Sequence, residues 1–326
     1  MSWTPATGVH LSGEDIRGAL TWDALVTSQR EVFKAHARGE AELAPRALLP
    51  YGDNTAFSYL ARASRDGWPV VKIGSVNPGN PARGLPSVHA FVLVMDRTTG
   101  DLAATMDGET ITTMRTPAAS VAAIEALASW RADGLAPQQV VVVGAGRQGM
   151  AHVDVMLERY PEAQVTTVVR RGVPLVPAGP SEGSASHRLR VTDDIRRAVE
   201  SADTVILCTS SFDPVVSAGW FAEGATLVSV GSFAPNRHEF GPDVIERAGQ
   251  VFVDDVSTSC QQCGPVAAAV SSGLLERGDV HAIGDVMLGR TRAPDVAREL
   301  TVYASVGLGI QDASVVDLLM ANHHGG

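Results

Sequence analysis

A chain of 326 residues is long enough for two domains, and its 45% apolar and 19% charged residues are a globular balance that excludes disorder as the main state. Lys and Arg number 26 against 36 Asp and Glu, a net charge of −10 that repels polyphosphate at long range, so nucleic acid and anionic membranes are not expected partners. Three cysteines are too few for a disulfide scaffold, no apolar run nears the about 18 residues of a bilayer span, and the Met1–Pro5 start has no basic-then-apolar leader. A cytoplasmic protein acting on a small molecule is the expectation.

In chain order, Ser12 and Thr21 suit helix N-caps, Gly39 suits a position just past a helix end, and Trp22, Leu25, Gln29 and Phe33 fall at near-helical spacing. Two helices are predicted there. From Arg46 to Asp107, short runs rich in Val and aromatics alternate with Gly, Pro, Asn and Asp. Residues 55–63, 70–76 and 88–96 read as strands of a mostly antiparallel sheet. Beyond Asp107 the texture changes. An Ala-rich helix is predicted over 116–131, then a strand over 139–143, a helix over 150–159, and strands over 165–169, 204–208 and 225–230. Strands alternating with helices imply a parallel sheet with crossovers. Residues 172–186 read as a loop rich in Gly, Pro and Ser, and 295–322 as helix.

The strongest chemical signal is Gly144-Ala145-Gly146-Arg147-Gln148-Gly149, preceded by a β-branched run and followed by a helical one. The first glycine permits the tight turn, the second lets a pyrophosphate approach the backbone, and the third lets helix and strand pack closely. The helix N-terminus adds unpaired N–H donors. A dinucleotide site over Gly144, Gly146, Arg147, Gln148 and Gly149 is therefore expected. An NAD-selective site places an acid at the end of the second strand, whereas here that strand runs into Arg170-Arg171. Guanidinium groups pair with a 2′-phosphate, so NADPH is the expected cofactor and NADH the poorer fit.

With these motifs, the segments Val70–Ser120, Val141–His152, Val230–Phe240 and Tyr303–Asp312 resemble the ornithine cyclodeaminase/mu-crystallin family, in the family's order and over most of the chain. The resemblance implies an α/β architecture: a Rossmann dinucleotide-binding domain over 120–302, and a split α+β substrate and dimerisation domain over 1–119 closed by 303–326. It further implies a homodimer joined through the substrate-domain sheets. Lys72, Arg115 and Arg46 match the family's substrate-binding positions, Lys72 in the catalytic role and the two arginines as carboxylate binders. An Arg grips a carboxylate as a fork, and a Lys beside two guanidinium groups is expected to have its pKa lowered toward neutrality, suited to proton exchange.

One departure narrows the activity. Cyclodeaminases of the family carry an aspartate two residues past the Val-Gly pair after the fourth strand, and Phe233 stands there. Phe neither accepts a proton nor pairs with an ammonium. The resemblance is thereby drawn to the ketimine reductase branch, which makes L-amino acids from cyclic imines such as 1-pyrroline-2-carboxylate. An NAD(P)-dependent amino-acid dehydrogenase, a cyclodeaminase, and a non-catalytic carrier of NADPH and a small ligand are the alternatives. Other groups point to structure. Cys260-Gln261-Gln262-Cys263 lacks a thioredoxin context and His323-His324 lacks further ligands, so no metal is expected. His152 and Glu239 read as packing residues, with Glu239 the fallback partner for a proton on Lys72.

Overall fold

The computed structural model describes residues 8–128, 136–170, 186–291 and 300–324. Arg171, the greater part of the predicted 172–186 loop and residues 295–299 of the predicted C-terminal helix lie outside the described residues. The chain divides into two units, Met1–Arg115 with Leu308–Gly326, and Thr116–Gly307.

The first unit opens with strand β1 (Val9–Leu11) and helices α1 (Gly13–Ala19) and α2 (Trp22–Ala37). Ser12 caps α1 in a reciprocal box with Asp15, and the Thr21 hydroxyl caps α2 by accepting from Ala24 N–H. One stripe of α2, Leu25, Val26, Gln29, Val32 and Phe33, is buried. Gly39, just past that helix, sits at φ +69°, where a Cβ is disfavoured. Strands β2 (Glu42–Leu43), β3 (Ala47–Tyr51), β4 (Asn54–Arg62), β5 (Val70–Val76), β6 (Val88–Met95) and β7 (Leu102–Asp107) complete the sheet. Its order is β1-β7-β6-β5-β4-β2 with β3 also on β4, antiparallel except for the β1–β7 pair.

The period-two pattern of this sheet assigns its faces. Tyr59, Ala61, Val70, Lys72, Val92 and Val94 point into the unit, where the C-terminal helix Gly309–His324 packs on β4 and β5 and α2 packs on that helix. The opposite face is apolar and open. Leu60, Val71 and Leu93 lie side by side across three strands, Ile73 pairs with Phe91, and Leu60, Phe91 and Leu49 are 51%, 54% and 67% exposed.

Helix α3 (Gly108–Ala128) begins eight residues before the predicted start at Thr116. Thr110, Thr112 and Thr113 are weak helix formers and Pro117 is a start signal, which hid the first turns. The Asp107 carboxylate caps them by accepting from Thr110 N–H at 2.6 Å, and the Thr112 and Thr113 hydroxyls donate back to the carbonyls of Gly108 and Glu109.

The second unit is built on β8 (Gln139–Val143), α4 (Arg147–Arg159), β9 (Gln164–Val168), β10 (Leu189–Thr192), α5 (Ile195–Glu200), β11 (Thr204–Leu207) and β12 (Thr226–Ser229). After these come α6 (Pro242–Ala248), β13 (Val251–Val253), α7 (Val256–Gln262), α8 (Gly264–Ser272), β14 (Val280–Ala282), α9 (Ile283–Met287) and β15 (Thr301–Ala304). The eight described strands run β10-β9-β8-β11-β12-β15-β13-β14, with every pair parallel. The order reverses between β8 and β11, the switch point at which doubly wound sheets bind ligands outside the carboxyl ends of their strands.

Strand β15 corrects the helical reading of 295–322. Thr301–Ala304 is a fully buried strand between β12 and β13, and the helix starts only at Gly309. Four residues beside an Ala-rich helix leave no period long enough to read. Residues 303–307 accordingly stay with the second unit. Buried Asp254, directly after β13, holds this segment: its carboxylate accepts from Ser305 Oγ and from the N–H groups of Val306 and Gly307 at 2.7–3.0 Å.

Candidate functional site

In the second unit the three glycines of the 144–149 turn meet three different constraints. Gly144 adopts φ +109°, and a Cβ there would lie 2.5 Å from the Cys208 carbonyl oxygen. A Cβ on Gly149 would lie 1.8 Å from the Gly144 oxygen, so helix and strand close only around a bare backbone. A Cβ on Gly146 would meet nothing within 4 Å, and Gly146 caps α4 with no side-chain hydrogen bond. No neighbouring atom among the described residues explains Gly146, the second glycine of the motif. The open side of the turn, at the N-terminus of a 13-residue helix, fits a pyrophosphate.

Arg147 and Gln148 form the first turn of α4, and Arg170 stands exposed just past β9 with no acid at that strand end. His152 is buried on α4, its Nδ1–H donating to the Gln148 carbonyl at 2.8 Å and its Nε2 pairing with the Ser120 hydroxyl at 2.9 Å. Burial pulls its pKa down to about 4, so the ring is neutral at pH 7.

Glu239 is also fully buried, and it ties two loops at the carboxyl ends of β11 and β12. One oxygen accepts from Thr209 N–H and Oγ, the other from Ser229 Oγ and Gly231 N–H, at 2.6–2.9 Å. Its hydrogen-bonding capacity is taken up within its own unit. Cys260 and Cys263 are free thiols at the end of α7, and burial pushes Cys263 up to about 12 and Cys260 above its ordinary value. Neither is a thiolate at neutral pH.

The first unit holds a different kind of site. Lys72, on the inward face of β5, is 3% exposed. Its ammonium donates to Asp312 Oδ1 at 2.6 Å and to the Thr112 hydroxyl. Tyr59, directly across from Lys72 on β4, donates to Asp312 Oδ2 at 2.8 Å. Arg115 on α3 reaches Gln311 Oε1 at 3.1 Å and lies with Nε 3.9 Å from Asp312 Oδ1. The Arg46 guanidinium stands 5.5 Å over the Tyr59 ring. Lys72, Arg115 and Arg46 are thus brought together.

Gln311, Asp312, Tyr59 and Thr112 complete the cluster and were not singled out by the sequence. Gly309 lets the C-terminal helix start against Tyr59, where a Cβ would sit 2.6 Å from the ring, and so delivers Gln311 and Asp312 to the sheet. A polar Gln-Asp pair at the head of an otherwise apolar helix was the available signal.

The electrostatics are lopsided: three cations face one carboxylate. Burial lowers the Lys72 pKa, with Arg115 and Arg46 adding to the effect and Asp312 opposing it. Burial alone would raise Asp312, yet Lys72 and Arg115 hold it below its ordinary value. Two buried donors, Arg115 Nε and Gln311 Nε2, have no hydrogen-bond partner among the described residues. A buried surplus of positive charge with unfilled N–H groups calls for an anion, and a planar carboxylate matches it.

The sequence is 27% identical over 317 residues to the alanine dehydrogenase of Archaeoglobus fulgidus, covering 96% of this chain and 94% of that one. It is 28% identical over 259 residues to the Δ1-pyrroline-2-carboxylate/Δ1-piperideine-2-carboxylate reductase of Azospirillum brasilense, covering 78% and 79%. Among solved structures, the Thermococcus litoralis Δ1-pyrroline-2-carboxylate reductase in complex with NADH and L-proline superposes with a TM-score of 0.82 at 25% identity, over 97% of this chain and 98% of that one. The archaeal alanine dehydrogenase dimer with bound NAD gives the same TM-score and identity over 98% and 96%. The profile of the ornithine cyclodeaminase/mu-crystallin family matches residues 8–326, and the chain belongs to that family.

Proposed function

We propose that this protein reduces a small or cyclic α-imino acid, such as 1-pyrroline-2-carboxylate, to the L-amino acid with NADPH. By class it is a nicotinamide-dependent oxidoreductase. The observation that carries the substrate reading is the buried cluster around Lys72, with its surplus charge and its two unfilled donors on Arg115 and Gln311. Those donors suit the α-carboxylate, with Arg46 adding a third positive charge. A nicotinamide, its dinucleotide bound at the 144–149 turn, would supply the hydride for the C=N carbon. With the hydride added, the π electrons would pass to nitrogen, and the Lys72 ammonium would be the proton donor to it. Asp312, bonded to Tyr59, keeps Lys72 charged and aimed despite burial.

The choice of NADPH is supported by Arg170 and by the absence of an acid at the end of β9. Phe233, half-exposed where a cyclodeaminase carries its aspartate, favours reduction over deamination. The open apolar face of the first sheet supports a homodimer, and no described helix is long and apolar enough to cross a membrane.

The direct test follows nicotinamide absorbance with 1-pyrroline-2-carboxylate and NADPH or NADH in parallel. Rapid loss with NADPH supports both halves of the reading. Loss with NADH alone keeps the chemistry and discards the cofactor choice. Ornithine-dependent ammonia release, or tight NADPH binding with no turnover across an imine panel, would replace the reading with cyclodeamination or ligand carriage.

A further inference from the structure

An ammonium carries three hydrogens, and the first unit commits two of those on Lys72. One goes to Asp312 Oδ1 at 2.6 Å, on the C-terminal helix, and one to the Thr112 hydroxyl on α3. The hydrogen of that hydroxyl is itself directed to the Gly108 carbonyl at 2.6 Å, so toward Lys72 Thr112 acts as an acceptor. Asp312 is an acceptor as well, with its second oxygen engaged by the Tyr59 O–H at 2.8 Å. Two acceptors mounted on different helices stop the ammonium from turning about its Cε–Nζ bond. The third N–H then has a fixed direction, and no acceptor for it stands among the described residues.

Gly108 is what brings Thr112 within reach. A Cβ there would lie 2.8 Å from the Ala90 carbonyl carbon, so only a bare backbone lets α3 start this close to β6, the neighbour of β5. Thr112 meets Lys72 four residues on, and Arg115 follows three residues later on the same side of the helix. The α-carboxylate of an imino acid and its C=N nitrogen are attached to the same carbon. One turn of α3 would thus carry both the residue that grips the first and the residue that steers a proton to the second.

We infer that Thr112 is a positioning residue that, together with Asp312, leaves Lys72 a single deliverable proton and fixes the direction in which it departs. This rests on the imine-reduction reading, in which the Lys72 ammonium is the proton donor. The third N–H bond of Lys72 breaks with its electron pair staying on Nζ. A new N–H bond forms on the substrate with the pair released from C=N as its carbon takes hydride from the reduced nicotinamide. The two hydrogens left on Nζ stay on Asp312 and Thr112. The charged groups facing Lys72 are Asp312 from the C-terminal helix, Arg115 from α3 and Arg46 ahead of β3, with the Tyr59 hydroxyl on β4. Burial already lowers Lys72, and loss of an acceptor for its charged form would lower it further.

Lys72 and Lys34 are the only lysines in the chain, which permits a readout independent of turnover. Side-chain NMR of protein labelled at lysine Cε should show two signals, with Lys72→Met identifying the buried one. Thr112→Val keeps the shape and removes the acceptor. It should move the Lys72 titration to lower pH and cut kcat for 1-pyrroline-2-carboxylate with saturating NADPH or NADH about tenfold, leaving KM within about threefold. The alkaline limb of the kcat profile should move down with the titration. Thr112→Ser, which retains the hydroxyl, should restore all of these. A Thr112→Val enzyme with wild-type kcat and titration, or a loss that Thr112→Ser does not repair, overturns the inference. If the wild type turns over no imine while the Lys72 titration still follows the residue at 112, imine reduction falls and the hold of Thr112 on Lys72 stands.

Discussion

Lys72 keeps a positive charge where almost none of its side chain reaches water, which is tenable only because Asp312 lies 2.6 Å away. Removing one partner should therefore cost more than removing both. Asp312→Asn leaves a buried ammonium uncompensated and is expected to lower stability by about 3–5 kcal/mol, measured by urea unfolding. Lys72→Met with Asp312→Asn should recover a good part of that loss while remaining inactive. Lys72→Met alone should abolish imine reduction and leave dinucleotide affinity within about threefold, because the dinucleotide turn belongs to the other unit; an equal fall in both would remove Lys72 from the chemistry.

His152 supplies a pH term of known sign. Its folded pKa of about 4 lies below the about 6.5 of an unfolded histidine, so between these values the unfolded chain binds more protons. Its contribution is complete above pH 6.5 and is lost as pH falls toward 4, by about 3 kcal/mol in all. The buried carboxyls of Glu239 and Asp254 are pushed up and act in the opposite direction over acidic pH. The readout is therefore the difference between wild type and His152→Gln, which should shrink as the pH is lowered. A constant difference would mean that the ring titrates normally.

At the scale of elements, what could be read from the chain was whatever is local. The strand–glycine turn–helix over 139–159 carries its own instruction, because each glycine answers to a neighbour a few residues or one strand away. Gly149→Ala is expected to force α4 off β8 and abolish dinucleotide binding, followed by the fluorescence of the reduced nucleotide, while Gly146→Ala, with open space at its Cβ, should fold normally and lose only affinity. Normal binding by Gly146→Ala would remove the pyrophosphate from that side of the turn. The strand Thr301–Ala304 was hidden because its identity comes from the strands on either side of it, and the start of α3 because a capping aspartate outweighed poor helix formers. Lys72, Arg115 and Arg46 were visible through resemblance. Their counter-ion was not, since an Asp 240 residues further on has no local signature.

At the scale of the whole molecule, Leu60, Val71, Ile73, Phe91 and Leu93 share the open face of the first sheet, an apolar grouping of the kind that marks an interaction surface. Pairing two such faces would satisfy the homodimer reading. Ile73→Lys with Phe91→Arg should convert the species seen by light scattering to one of half the mass, with the dinucleotide turn still functional. A wild type that is already monomeric at micromolar concentration would dismiss that interface.

The position of the C-terminal helix has a consequence for how the protein is made. Thr116–Gly307 is one uninterrupted stretch, whereas the other unit waits for Gly309–His324 to cover β4 and α2 and to bring Asp312 to Lys72. During synthesis the dinucleotide-binding unit can therefore close first, while a half-built sheet with an uncovered inner face persists until Gly309–His324 leaves the ribosome. A chain truncated before Gly309 should already hold the dinucleotide, and its N-terminal part should be the segment that chaperones grip and proteases cut. Emergence of Gly309–His324 is then the step that completes the cluster around Lys72.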